Sequence, residues 1–150
     1  MRRVVLVLVV ALPALSGCLT RTAPSDDERK WEQRLRATLS PGWKVVAITG
    51  EPKKNRFVCW LEAPGPRGRT YRVEVRVTPR PNAPDEREWS VSVHPPADPH
   101  PGNSVSFTAR WDGAGPVEVA GESGGDPAAV EEARPLAEEA VRQVRGLKLF

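Results

Sequence analysis

From Trp43 onward, apolar side chains recur at every second position, the period of a strand with one buried face. The alternation predicts strands at 43–49, 56–62, 69–78, 88–94, 103–111 and 116–120. The joining segments GEPKKN, APGPRG, PRPNAPDER, PPADPHPG and DGAGP carry turn chemistry. Parity then tests the register, because a one-residue slip turns every side chain to the other face. A meander places Val46 and Ile48 beside Cys59 and Phe57, then aligns Leu61, Cys59 and Phe57 with Tyr71, Val73 and Val75. Trp89, Val91 and Val93 meet Phe107, Val105 and Asn103, and Ala109 and Trp111 meet Val119 and Val117. One face stays apolar throughout, as in an antiparallel sheet covered on one side.

The period is helical on either side of this region. Ser25-Asp26-Asp27-Glu28 has the form of a capping box with acidic residues at the positive end of a helix dipole. Trp31, Leu35 and Leu39 follow at four-residue spacing, and Ser40-Pro41-Gly42 stops the helix. Near the other end, GESGG leads as a linker to Asp126, a cap, and Pro127, suited to a first turn. Val130, Ala133, Ala137, Val141 and Val144 then share a face. Pro135 interrupts that pattern at a cost of ~3 kcal/mol in a helix interior, so a kink or a later start is expected. These elements predict an α+β fold: an antiparallel meander of five to six strands, with an N-terminal and a C-terminal helix packed on one face.

The first residues differ in kind. Met1-Arg2-Arg3 precedes an apolar run from Val4 to Leu15, the charge and length of a secretory leader. Twelve residues at ~1.5 Å each span ~18 Å, short of a ~30 Å hydrocarbon core. The run ends Leu15-Ser16-Gly17-Cys18. This resembles the lipobox of bacterial lipoproteins, in which an apolar residue and two small ones precede an invariant cysteine. Small residues suit a protease groove, and a thiolate suits attack on a lipid donor. The resemblance implies cleavage before Cys18 and two or three acyl chains (palmitate among them) upon it. One chain holds a protein only marginally, and two or more hold it stably. Leu19, where an Asp would signal retention at the inner membrane, implies the outer membrane facing the periplasm by the same resemblance. The expected organisation is a signal peptide at 1–17, a lipidated tether at 18–26 and a single domain at 27–150.

Composition changes this picture in two ways. Loss of Arg2 and Arg3 with the leader reduces 22 basic side chains to 20 against 19 acidic ones, so the apparent basicity nearly vanishes. Nucleic-acid binding, which needs a concentrated cationic excess, is not expected. With Cys18 acylated, Cys59 has no partner in the chain, so no disulfide framework is expected.

Candidate chemistry is sparse. His94 and His100 lie in VHPPADPHPG, where four prolines favour a stiff solvated loop over a metal site needing several ligands. Cys59 alternates with Phe57 and Leu61 and reads as a small core residue. No G-x-S-x-G surrounds Ser90, Ser92, Ser104 or Ser106, and GESGG lacks the Lys-Ser/Thr of a phosphate loop. The polar face of the sheet carries Trp60, Arg72, Glu74, Arg76 and Arg110 among hydroxyl residues. There Trp60 is expected beside Arg72, a cation–π contact worth ~0.5–1 kcal/mol. This face reads either as a solvated surface whose charges pair with one another or as a binding face for an envelope protein or an acidic polymer. The expected function is therefore non-catalytic, without cofactor or metal: a lipoprotein held to the membrane through Cys18 and binding an envelope partner. The alternative is a small ligand carrier or hydrolase, with a site between helices and sheet or near His94 and His100.

Overall fold

The computed structural model describes residues 23–54, 56–96, 104–110 and 118–147. Helix α1 spans Asp26–Thr38. The strands are β1 (Lys44–Glu51), β2 (Arg56–Pro64), β3 (Thr70–Arg80), β4 (Ala83–His94), β5 (Val105–Arg110) and β6 (Glu118–Ser123). Helix α2 spans Pro127–Arg145. The strands form one antiparallel six-stranded sheet in sequence order, and both helices cover the same face, giving a two-layer α+β fold. Among the described residues no helix is long and apolar enough to cross a membrane.

Local chemistry starts α1 where the pattern predicts. The Ser25 hydroxyl accepts from the Glu28 N–H, and the Glu28 carboxylate accepts from the Ser25 N–H at 2.7 Å. Trp31 and Leu35 are its buried residues, and Trp31 meets Phe57 edge to face with centroids 5.4 Å apart. Asp126 caps α2 by accepting from the Ala129 N–H at 2.8 Å. Its inward face is rich in small residues, Ala133, Ala137 and Ala140, so the helix lies close against the branched side chains of β3, β4 and β5. Alternate residues of the inner strands, such as Val73, Val75, Val91 and Val93, are essentially inaccessible to solvent.

Three expectations are corrected. First, the faces of β2 to β5 are right but the β2–β3 and β4–β5 pairings slip by two residues. Leu61 lies opposite Val73, Cys59 opposite Val75 and Phe57 opposite Val77; Trp89 lies opposite Ala109 and Val91 opposite Phe107. For β2 and β3 the cause is a tight turn. The Gly65 N–H donates to the Arg69 carbonyl at 2.8 Å, and Arg67 and Gly68 adopt left-handed backbone at φ 58° and 69°. Ala63 and Pro64 therefore continue the strand instead of leaving it. Ala109 does pair with Val119; Asn103, Trp111 and Val117 lie outside the described residues.

Second, Val46 points outward, 42% exposed, and Val45 points inward. A bulge between Val45 and Ala47 breaks the period of two, so Val45 faces Leu61 and Ile48 faces Cys59. Third, of the two expectations for Pro135, the later start is set aside: α2 begins at Pro127 and runs through Pro135. Pro135 and Glu131 are both exposed, so the Glu131 carbonyl, deprived of its helical donor, lies on the watered side of the helix. The predicted linker GESGG is shorter than expected, because β6 runs on to Ser123. Gly124 and Gly125, at φ 84° and 76°, make the turn.

Candidate functional site

The face of the sheet opposite the helices is a set of cross-strand rows. One runs Lys44, Glu62, Arg72, His94. The next runs Ala47, Trp60, Glu74, Ser92, Ser106. A third runs Val58, Arg76, Ser90, Thr108. Trp60 is half-buried in the middle row. Its direct neighbour is Glu74, and Arg72 stands one row away opposite Glu62, so the expected Trp60–Arg72 pairing is corrected by the same two-residue slip. Arg76 reaches back along its own strand and donates to Glu74 Oε1 from Nε at 3.2 Å and from Nη2 at 2.6 Å. The Ser92 and Ser106 hydroxyls are hydrogen-bonded at 2.9 Å. Arg110 enters β5 through its backbone; its side chain lies outside the described residues, as do Cys18 and His100.

Among the described residues, charges of both signs are interspersed on this face. Including the Glu51–Arg56 and Thr78–Glu88 pairs, the paired rows hold the cations Lys44, Arg56, Arg72 and Arg76 and the anions Glu51, Glu62, Glu74 and Glu88, with Arg80 exposed beyond them. Opposite charges stand directly across from each other in the Lys44, Glu62, Arg72 row, the arrangement that stabilises antiparallel neighbours. Among the described residues the surface is thus a mosaic of both signs of charge around the Trp60 ring.

Both outer strands of the sheet meet helix side chains. At β1 the Gly50 N–H donates to Glu28 Oε1 at 3.0 Å, and Arg36 Nη2 approaches the Val45 carbonyl at 3.5 Å. At β6 Arg134 Nη1 reaches the Val119 carbonyl at 3.4 Å, its guanidinium lying over the Phe107 ring. Such contacts occupy strand groups that would otherwise invite another strand.

Periodicity does not reveal a further cluster. Tyr71 Oη donates to Glu132 Oε2 at 2.9 Å, and Arg67 Nη2 stands 3.3 Å from Glu132 Oε1. The β2–β3 turn is thereby tied to the second turn of α2, beside an open cleft of about 400 Å³ lined by Pro66, Ala128, Glu131, Glu132, Pro135 and Leu136. Burial, and then the Glu132 carboxylate, push the Tyr71 hydroxyl above the usual tyrosine range. The sequence signal was a lone tyrosine at the start of the otherwise aliphatic inward face of β3, Val73, Val75 and Val77.

Other candidates take plainer positions. Cys59 is fully buried under the helices, and burial pushes its thiol up, away from the thiolate a nucleophile needs. His94 ends β4 on the outer face opposite Arg72. Among the described residues no three His, Cys, Asp or Glu side chains gather in a metal-binding group. Between helices and sheet, the described positions are filled by core side chains, among them Leu35, Leu61, Phe107 and Val141. Comparison of the chain with protein-family models, with curated proteins and with solved structures finds no match in any of the three.

Proposed function

We propose that the chain is a non-catalytic lipoprotein of the bacterial cell envelope, held by acyl chains on Cys18 and docking a partner through the uncovered face of its sheet. The observation that carries this reading is the lipobox Leu15-Ser16-Gly17-Cys18 at the end of a cationic, apolar leader. The uncovered face supports the docking role: helix side chains contact both outer strands, while Trp60, Glu74 and Arg76 stand together on the open side. Trp and Arg are the residues that concentrate binding energy at interfaces. The interspersion of both signs of charge favours a protein over an acidic polymer as partner, because an anionic polymer is drawn by a cationic field. Leu19 after the lipidated cysteine favours the outer membrane, facing the periplasm.

Two measurements test the reading. Intact mass of protein from its native host should show removal of 17 residues and added acyl mass on Cys18, and Cys18→Ala should release the domain from the membrane fraction. A free thiol on an uncleaved chain would refute the anchor. In-cell crosslinking from positions 60, 72 and 76 should recover one specific protein. Recovery of none would leave these charges as a solvated surface.

A further inference from the structure

We propose that the partner docked on the uncovered sheet face is a second copy of this chain, related to the first by a twofold axis lying across the strands; this deepens the docking role proposed above and rests on it. A twofold interface uses one patch on both copies, so the patch must match itself after rotation. The outer residues meet that condition. They form four rows: the three described above and a fourth that holds the Glu51–Arg56 and Thr78–Glu88 pairs.

An axis midway between the second and third rows exchanges those two rows, and exchanges the first with the fourth. Glu74 of one copy then stands over Arg76 of the other, and Trp60 over Val58. At the outer rows Lys44 meets Glu51, and Glu62 meets Arg56. The hydroxyls follow the same exchange, Ser92 with Ser90 and Ser106 with Thr108. Among the described residues of these rows, opposite charges meet in β1, β2 and β3 and no like charges do. An axis along the strands, between β3 and β4, lacks this match. It sets Arg72 over His94, Glu74 over Ser92 and Arg76 over Ser90, and joins no opposite charges in those strands.

Facing sheets lie ~10 Å apart and cross at about 30°, so register is kept best near the axis. Glu74 and Arg76 lie on either side of that axis, in a strand with two neighbours on one side and three on the other. Arg76 places two N–H donors on Glu74 of its own strand, and a guanidinium carries five. From β1 to β6 the face is ~24 Å wide at ~4.8 Å per strand, and its rows span ~20 Å at ~3.3 Å per residue. Two such faces present about 960 Å² in projection, close to the ~1,000 Å² that a specific interface buries, and side-chain relief adds to it.

The test uses the full chain in its native host, expressed as two copies that carry different tags. A photocrosslinker at position 60 should join the two tags, with the bond landing on β2 near Val58 of the other copy. Glu74→Arg in both copies, or Arg76→Glu in both, should cut the joined product at least ~tenfold, because each reversal acts twice across a twofold axis and facing like charges repel. Glu74→Arg in one copy with Arg76→Glu in the other should restore it, since Arg then faces Glu at both positions. Lys44→Glu with Glu51→Lys repeats the exchange at the outer rows, independently of how the β3 variants fold. If neither mixture restores the product, or if the bond lands on β5, the twofold pairing is overturned. A different protein captured from position 60 overturns the second copy and leaves the docking role standing. Capture of no protein overturns both.

Discussion

A Cβ on Gly50 would stand 2.5 Å from the Trp31 ring, closer than real Cβ atoms come, and a tight 3.0 Å from the Arg56 carbonyl. Gly50 lets α1 lie directly on β1, and Gly50→Ala should destabilise the fold by ~1–3 kcal/mol, the usual penalty of overpacking. Urea unfolding measures it. Tyr71 offers a test that depends on pH. Its neutral form is favoured in the folded state, so its contribution is complete below the ordinary tyrosine value near ~10 and is lost as pH rises above it. Tyr71→Phe should cost ~0.5–1.5 kcal/mol at neutral pH through the lost bond to Glu132. It should also flatten the alkaline decline in stability, and an unchanged decline would show that another group causes it.

At the scale of elements, β1 and α2 each contain a break in the expected pattern. In β1 the bulge places Val46 in solvent, so Val46→Thr should change stability by less than ~0.5 kcal/mol. Ile48→Ala, in the same strand but facing Cys59, should cost ~2–5 kcal/mol. If Val46 proved the costlier site, the bulge would be misplaced. In α2 the proline is carried by packing on either side of it. Ala133 and Ala137 flank Pro135 on the buried face, and α2 is also tied to the segment after α1, where Ser40 Oγ donates to Glu139 at 2.7 Å. Pro135→Ala restores the missing N–H and should stabilise by ~1–3 kcal/mol, readable as a higher urea midpoint.

For the whole molecule, the proposed docking role would give the two faces of the sheet separate duties. The inner face builds the core, so substitutions on the outer one should separate folding from docking. Trp60→Ala combined with Arg76→Ala should leave a cooperative unfolding transition while removing the specific crosslinked partner. Loss of both together would mean that Trp60 serves the fold.

Much of this architecture was legible without coordinates, because it follows from interactions between residues close in the chain. The Ser25 capping box and the Asp126 cap each span three residues, and the alternation of Phe57, Cys59 and Leu61 assigns faces to β2 without reference to any other strand. Pairing required the turns. A slip of two residues leaves every face unchanged, so hydrophobic parity cannot detect it, and only the closure of Gly65 on Arg69 sets Leu61 opposite Val73. For the same reason the neighbour of Trp60 was misread. The Val46 bulge, the passage of α2 through Pro135 and the meeting of Tyr71 with Glu132 were likewise decided by tertiary packing. Each turns on contacts or solvent exposure that only the assembled sheet and helices create.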